Sequence, residues 1–137
     1  MIVQTQTTSF KKELYQGIHD LSADTLKIAL YNANANLNAD TTVYSTTNEI
    51  TDAGYTAGGI VLTGVTINTS GYTAYVNFNN ADFNASLSNV RCALIYNASK
   101  ANRSIAVLDF GSDKTSADFT VVMPQNTATT ALIRSSN

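Results

Sequence analysis

One cysteine, one proline, one histidine and no tryptophan occur among 137 residues, and only 13% of the positions are charged. Each scarcity removes a class of explanation. Cys92 has no partner for an internal disulfide, and inside an apolar run it reads as a small buried hydrophobe rather than a reactive thiol. His19 and Cys92 together are too few for a zinc site. A catalytic triad or Cys–His dyad needs a base beside its nucleophile. His19 is the only histidine, and it falls near the end of a short N-terminal helix, a common setting for a structural histidine. No cofactor is expected. The eight basic residues are scattered from Lys11 to Arg134 and the net charge is −2, so the gathered cations that nucleic acid requires are missing. No apolar run approaches the length of a membrane span. The segment "MIVQTQTTSFKKEL" lacks the charged start and apolar stretch of a secretory signal. The expectation is a chain made and assembled inside a cell, with neither nucleic acid nor membrane as a partner.

What the sequence does have is Thr, Asn and Ser set among 44% apolar residues. Thr favours pleated strands, whereas Asn and Ser favour turns by bonding their own backbone. Residues 1–8 are polar and aperiodic and are expected as a flexible arm. Phe10, Leu14 and Ile18 then recur at helical spacing, with Tyr15 beside them, predicting a helix over about 9–19 capped by Ser9. Gly17 would weaken it. Beyond Asp24 the pattern is strands and turns. Thr25–Tyr31 alternates as a half-buried strand, Asn32–Asp40 reads as a long loop, and Gly71–Asn79 alternates again. Val90–Asn97 is apolar on both faces apart from Arg91, as a central strand would be. Arg103–Gly111, Asp118–Pro124 and Thr130–Ser135 follow, with turns expected at Ser70–Gly71, Ala98–Asn102, Gly111–Ser116 and Gln125–Thr129. The spacing predicts a mainly β, antiparallel, jelly-roll-like β-sandwich of roughly seven or eight strands in one domain over 9–137.

The segment "EITDAGYTAGGIVLTG" (49–64) crowds four glycines before an apolar run. A phosphate loop needs a lysine after the last glycine and a helix beyond it, and here a strand follows with no lysine. The glycines therefore read as turns that permit positive φ, with a bulge near Thr63–Gly64 to reconcile the parity of Ile60 and Leu62 with that of Val65 and Ile67. Asp109, Asp113 and Asp118 surround a turn-like stretch. Asp109-Phe110-Gly111 matches a kinase motif only by chance, and the stretch fails the calcium-loop pattern. Sequons at Asn68, Asn84, Asn97 and Asn102 follow from composition.

Taken in order, "TSFKKELYQGIHD", "LKIALY", an Asn/Ala-rich loop, "TVYSTTNEITDAGYTAGG", "ALIYN" with the basic turn "SKANRS", and "IAVLDFG" run from about Thr8 to Arg134. Together they resemble a family of small structural proteins of tailed bacteriophages. The most distinctive piece is the order of acidic residue, turn, Gly-Tyr and Gly-Gly from Glu49 to Gly59. The resemblance implies a β-sandwich decoration, or cement, protein that sits as a homotrimer on an icosahedral shell. Its partner would be the major capsid protein, and its place the outer capsid surface after assembly in the bacterial cytoplasm. The arm and helix are then the expected contact elements, with Thr7, Thr8, Phe10, Lys11 and Tyr15 as contact residues.

Related sandwiches in tail fibres and tailspikes imply a second reading, a tail module that binds host glycan. Tyr44, Tyr55 and Tyr72 would be its stacking residues, against the plainer reading of strand and core packing. A third reading, a glycan hydrolase, would need two carboxylates facing each other across a cleft.

Overall fold

Val90–Asn97, apolar on both faces, lies in the middle strand of the largest sheet. The computed structural model describes residues 1–136. In chain order the elements are β1 (Thr5–Gln6), α1 (Thr8–Tyr15), β2 (Leu26–Tyr31), β3 (Ile60–Val61), β4 (Thr66–Ser70), β5 (Thr73–Asn77), β6 (Ala81–Asp82), β7 (Leu87–Asn97), β8 (Arg103–Ser116), β9 (Thr120–Val121) and β10 (Ile133–Ser135). They form a five-stranded sheet ordered β1-β8-β7-β2-β3, a three-stranded sheet β10-β5-β4 and a two-stranded sheet β6-β9. Every pairing between these strands is antiparallel; the isolated bridge of Ile2 to Leu37 is parallel. The fold is mainly β and sandwich-like, with one short helix, as the alternation predicted. Among the described residues the strands number ten, because several two-residue pairings are too short to leave a period in the sequence.

One face of the large sheet presents Ile28, Leu30, Ala93, Ile95, Ala106 and Leu108. They pack against Phe10 of α1 and against Val76, Phe78, Phe119 and Ile133 from the smaller sheets and their flanks. The opposite face presents Ala29, Tyr31, Cys92, Leu94, Tyr96 and Val107, covered by Ala35, Leu37 and Tyr44 from the long connection after β2. β2 is therefore buried on both faces rather than half-buried, because residues 32–59 fold back over it.

Residues 1–8 are not a free arm. β1 pairs Thr5 with Val107 and Gln6 with Ala106, and the Val3 N–H bonds the Leu37 carbonyl at 2.9 Å. Thr7 is fully buried, its hydroxyl 2.9 Å from that of Ser104. Thr7, not Ser9, caps α1 by accepting from the Phe10 N–H.

The helix ends at Tyr15 because Gly17 (φ +71°) turns the chain left-handed just beyond it. The Ile18 N–H bonds the Glu13 carbonyl at 3.0 Å and the Gly17 N–H bonds that of Leu14 at 3.1 Å, the paired bonds of a Schellman stop. Gly17 thus terminates the helix instead of weakening its interior.

Two further expectations change. Gly111–Ser116, expected as a turn, continues β8 as an extended ribbon in which Lys114 pairs with Val90 and Ser116 with Leu87. Thr63–Gly64 is not a bulge within one strand. The chain leaves β3 in the large sheet and enters β4 in the three-stranded sheet, and the parity change falls at that crossing. Gly64 has φ +64°, and a Cβ there would lie 2.2 Å from the Asn79 side chain. No helix among the described residues is long and apolar enough to cross a membrane.

Candidate functional site

The sequence places a carboxylate, Glu49, ahead of two turns, and the fold closes those turns around it. Glu49 is 5% exposed. Its Oε1 accepts from the Tyr44 hydroxyl at 2.6 Å, and its Oε2 accepts from the Gly58 N–H at 2.8 Å and from the Tyr55 hydroxyl. The Tyr55 oxygen also accepts from the Leu30 N–H at 3.0 Å, which ties the cluster to β2. The Tyr96 hydroxyl donates to the Gly58 carbonyl at 2.6 Å, and Tyr44 stacks on Tyr96 at 4.7 Å.

The glycines serve this closure. Gly58 and Gly59 have φ of +97° and +79°, and a Cβ on Gly59 would sit 1.7 Å from the Ile28 carbonyl oxygen. The Gly58 backbone donor that a phosphate would need is thus held by the protein's own carboxylate. Burial first, and then the Glu49 charge, push the Tyr96 phenol up to about 12 and raise that of Tyr31; burial and then the hydrogen bond to Glu49 raise those of Tyr44 and Tyr55.

A second buried network joins the end of α1 to β7 and β8. The Asn97 amide donates to His19 Nδ1 at 3.0 Å, which leaves Nε2–H to donate to Glu13 Oε1 at 2.8 Å. Arg103 Nη1 bonds the other Glu13 oxygen at 2.9 Å. On the far side, Asn97 Nδ2 bonds Asp24 at 2.8 Å and Lys100 Nζ meets Asp24 at 3.1 Å. The His19 side chain is fully buried and packs against Phe10 at 5.1 Å. Both ring nitrogens are engaged, so the imidazole acts as a joint between helix and sheet. Burial works to raise the Glu13 carboxyl, but hydrogen bonds from His19 and Arg103 outweigh it and hold the group below its ordinary value. The Asn97 amide, followed by the Asp20 N–H and Lys100, holds Asp24 down at about 2.

The remaining carboxylates are on the surface. Arg91 lies between Asp109 (3.6 Å) and Asp113 (3.7 Å) along the β7–β8 ribbon. Asp82 accepts from the Asn84 N–H at 2.8 Å; that bond and then Asp118 lower its carboxyl, and Asp82 in turn raises that of Asp118. Among the described residues, no group of three or more His, Cys, Asp or Glu side chains gathers as metal ligands. Cys92 is fully buried, with its thiol pushed up to about 12, chiefly by burial. Asn97, the first residue of its sequon, is fully buried as well.

The candidate contact residues separate. Thr7 and Phe10 are fully buried, one as helix cap and one as core, so neither reaches a partner. Thr8, Lys11 and Tyr15 are exposed, Tyr15 at 94%. Of the stacking candidates, Tyr44 and Tyr55 are committed to Glu49, whereas Tyr72 is 90% exposed at the tip of the β4–β5 hairpin. Sequence reasoning missed Glu13 and Asn97, and it saw Glu49 only as the acidic residue that opens the motif ahead of the turns. The signal for Glu49 was present in the Tyr and Gly-Gly that follow it. No family model matches the chain, and no curated protein or solved structure matches it either.

Proposed function

We propose that this chain is a non-enzymatic structural protein of a tailed-bacteriophage virion, a decoration protein that stabilises the icosahedral shell by bridging major capsid subunits. One observation carries the reading. The side chains best suited to chemistry, His19, Glu13, Glu49 and Cys92, are buried, and the polar ones are saturated by contacts that pin loops and helix to the sheets. The exposed remainder is rich in hydroxyl and amide groups able to bond a partner's surface. The ordered motifs from Thr8 to Arg134 supply the phage context and the homotrimeric, outer-surface arrangement. Within that arrangement, Thr8, Lys11 and Tyr15 are the residues of the original set that remain available for contact.

The test is co-sedimentation of the purified chain with empty shells of the parent phage. The reading expects saturable binding at a fixed ratio to the major capsid protein. No binding to shells, together with binding to tails or to host surface glycan, would replace it with the tail-module reading, for which exposed Tyr72 is the remaining stacking residue.

A further inference from the structure

The three-stranded sheet ends in β4, and among the described residues no strand pairs with that edge; only the Asn126 side chain reaches β4, at the Thr66 hydroxyl. All five residues of β4, Thr66-Ile67-Asn68-Thr69-Ser70, are exposed, so both faces and the open side of the strand meet solvent. β4 and β5 form a hairpin closed by Gly71 (φ +58°) and Tyr72. Positive φ at the first central position is what a type II′ turn requires.

Proteins usually guard such an edge with Lys, Pro, a bulge or very short length. Here no guard is present. No charged residue occurs between Asp52 and Asp82, and the only proline is Pro124. The other open edges differ: β1, β3, β6 and β9 have two residues each, β10 has three and carries Arg134, and the free part of β8 carries Asp113 and Lys114. Among the edges of the described residues, β4 is the long and neutral one.

We infer that β4 pairs edge to edge with β4 of a second copy of this chain, antiparallel about a two-fold axis through Asn68. The hairpin register fixes the geometry. A two-residue loop makes Ser70–Thr73 a hydrogen-bonded pair, so Asn68 and Thr66 also turn their backbone groups toward β5. Ile67 and Thr69 therefore aim their N–H and C=O groups outward. Pairing about Asn68 sets Ile67 opposite Thr69 of the second copy, and the converse, and satisfies all of these groups. The two Asn68 residues form the central non-hydrogen-bonded pair, where side chains come closest.

A second copy fits because a two-fold contact sets each residue near its own twin. Any charge near the axis would meet its like, and the segment has none. Ile67, 52% exposed in the single chain, is partly covered in the pair. The contact is independent of the arrangement proposed on the shell, since a two-fold edge would join one three-fold cluster to the next.

The test is the mass of the full chain by analytical ultracentrifugation, for wild type and for Asn68→Lys, Asn68→Glu and Asn68→Gln. Like charges facing across the axis should weaken self-association about tenfold. Wild type and Asn68→Gln should reach twice the mass of either charged variant, and an equimolar mixture of Asn68→Lys with Asn68→Glu should restore the doubled mass. Unchanged melting by circular dichroism verifies that the variants fold. Equal masses for wild type and the charged variants overturn the inference, as does a mixture that fails to recover. A three-chain species that ignores all the substitutions overturns it too, while leaving the shell-binding proposal intact.

Discussion

Removing the Glu49 carboxylate should release the long connection from the face of the large sheet. The group accepts from the Tyr44 and Tyr55 hydroxyls and the Gly58 N–H, all partly or fully buried. In Glu49→Ala, Gly58 N–H and the two phenols lose that acceptor, at about 1–3 kcal/mol for each group left unsatisfied. The Tyr55 oxygen keeps its bond from Leu30, and the Tyr44 hydroxyl can rotate toward water, so the expected loss is about 4 kcal/mol rather than the full sum. Glu49→Gln keeps one carbonyl acceptor and trades charge-assisted bonds for neutral ones about half as strong, for an expected loss of about 2 kcal/mol. At about 4 °C per kcal/mol for a chain of this size, melting should fall by about 16 °C and 8 °C respectively. Hydrogen exchange should locate the damage: amides of Tyr55, Gly58 and Gly59 lose protection while those of β7 hold theirs. A Glu49→Ala melting point within about 2 °C of wild type, with protection unchanged, would refute the claim that this carboxylate anchors the loop.

Three other outcomes follow from the geometry. Gly59→Ala should abolish stable folding, because its Cβ would lie 1.7 Å from the Ile28 carbonyl, whereas Gly17→Ala, with nothing within 4 Å, should cost only the left-handed strain of about 1 kcal/mol; soluble yield and melting temperature separate the two. Asp24 falls from 3.8 to about 2 on folding. Its contribution is therefore fully present above pH 3.8, is lost as pH falls through about 2, and amounts to about 1–2 kcal/mol after solvent screening. Melting curves of wild type and Asp24→Asn should converge over that window. Cys92, fully buried with its thiol near 12, should resist a thiol-specific reagent in the native protein and react at once in denaturant.

The parts of the fold legible in the sequence were those written in local pattern. β7 was readable because residues on both of its faces are apolar, and β2 because Leu26, Ile28 and Leu30 alternate. The parts missed depend on partners far along the chain. Thr5 and Gln6 resemble an arm until Val107 and Ala106 are placed beside them. Gly111–Ser116 has the composition of a turn, yet Val90 and Leu87 hold it extended. His19 was placed at the end of a helix running to 19, whereas the helix stops at Tyr15 and His19 lies beyond it, held by an Asn97 that is 78 positions away. For Glu49 the clue was local. A carboxylate followed within ten residues by Tyr and Gly-Gly supplied both acceptor and donors, and what looked like a run of turns is a side chain enclosed by its own loop.

The account rests on the chain being a component of the shell, and a cryo-EM reconstruction of the parent particle tests that most directly. The prediction is density for this fold at repeated positions on the outer capsid surface, on the order of hundreds of copies, as icosahedral symmetry multiplies a shell component. Density confined to the tail, in a few tens of copies or fewer, or absent from the particle altogether, would contradict it.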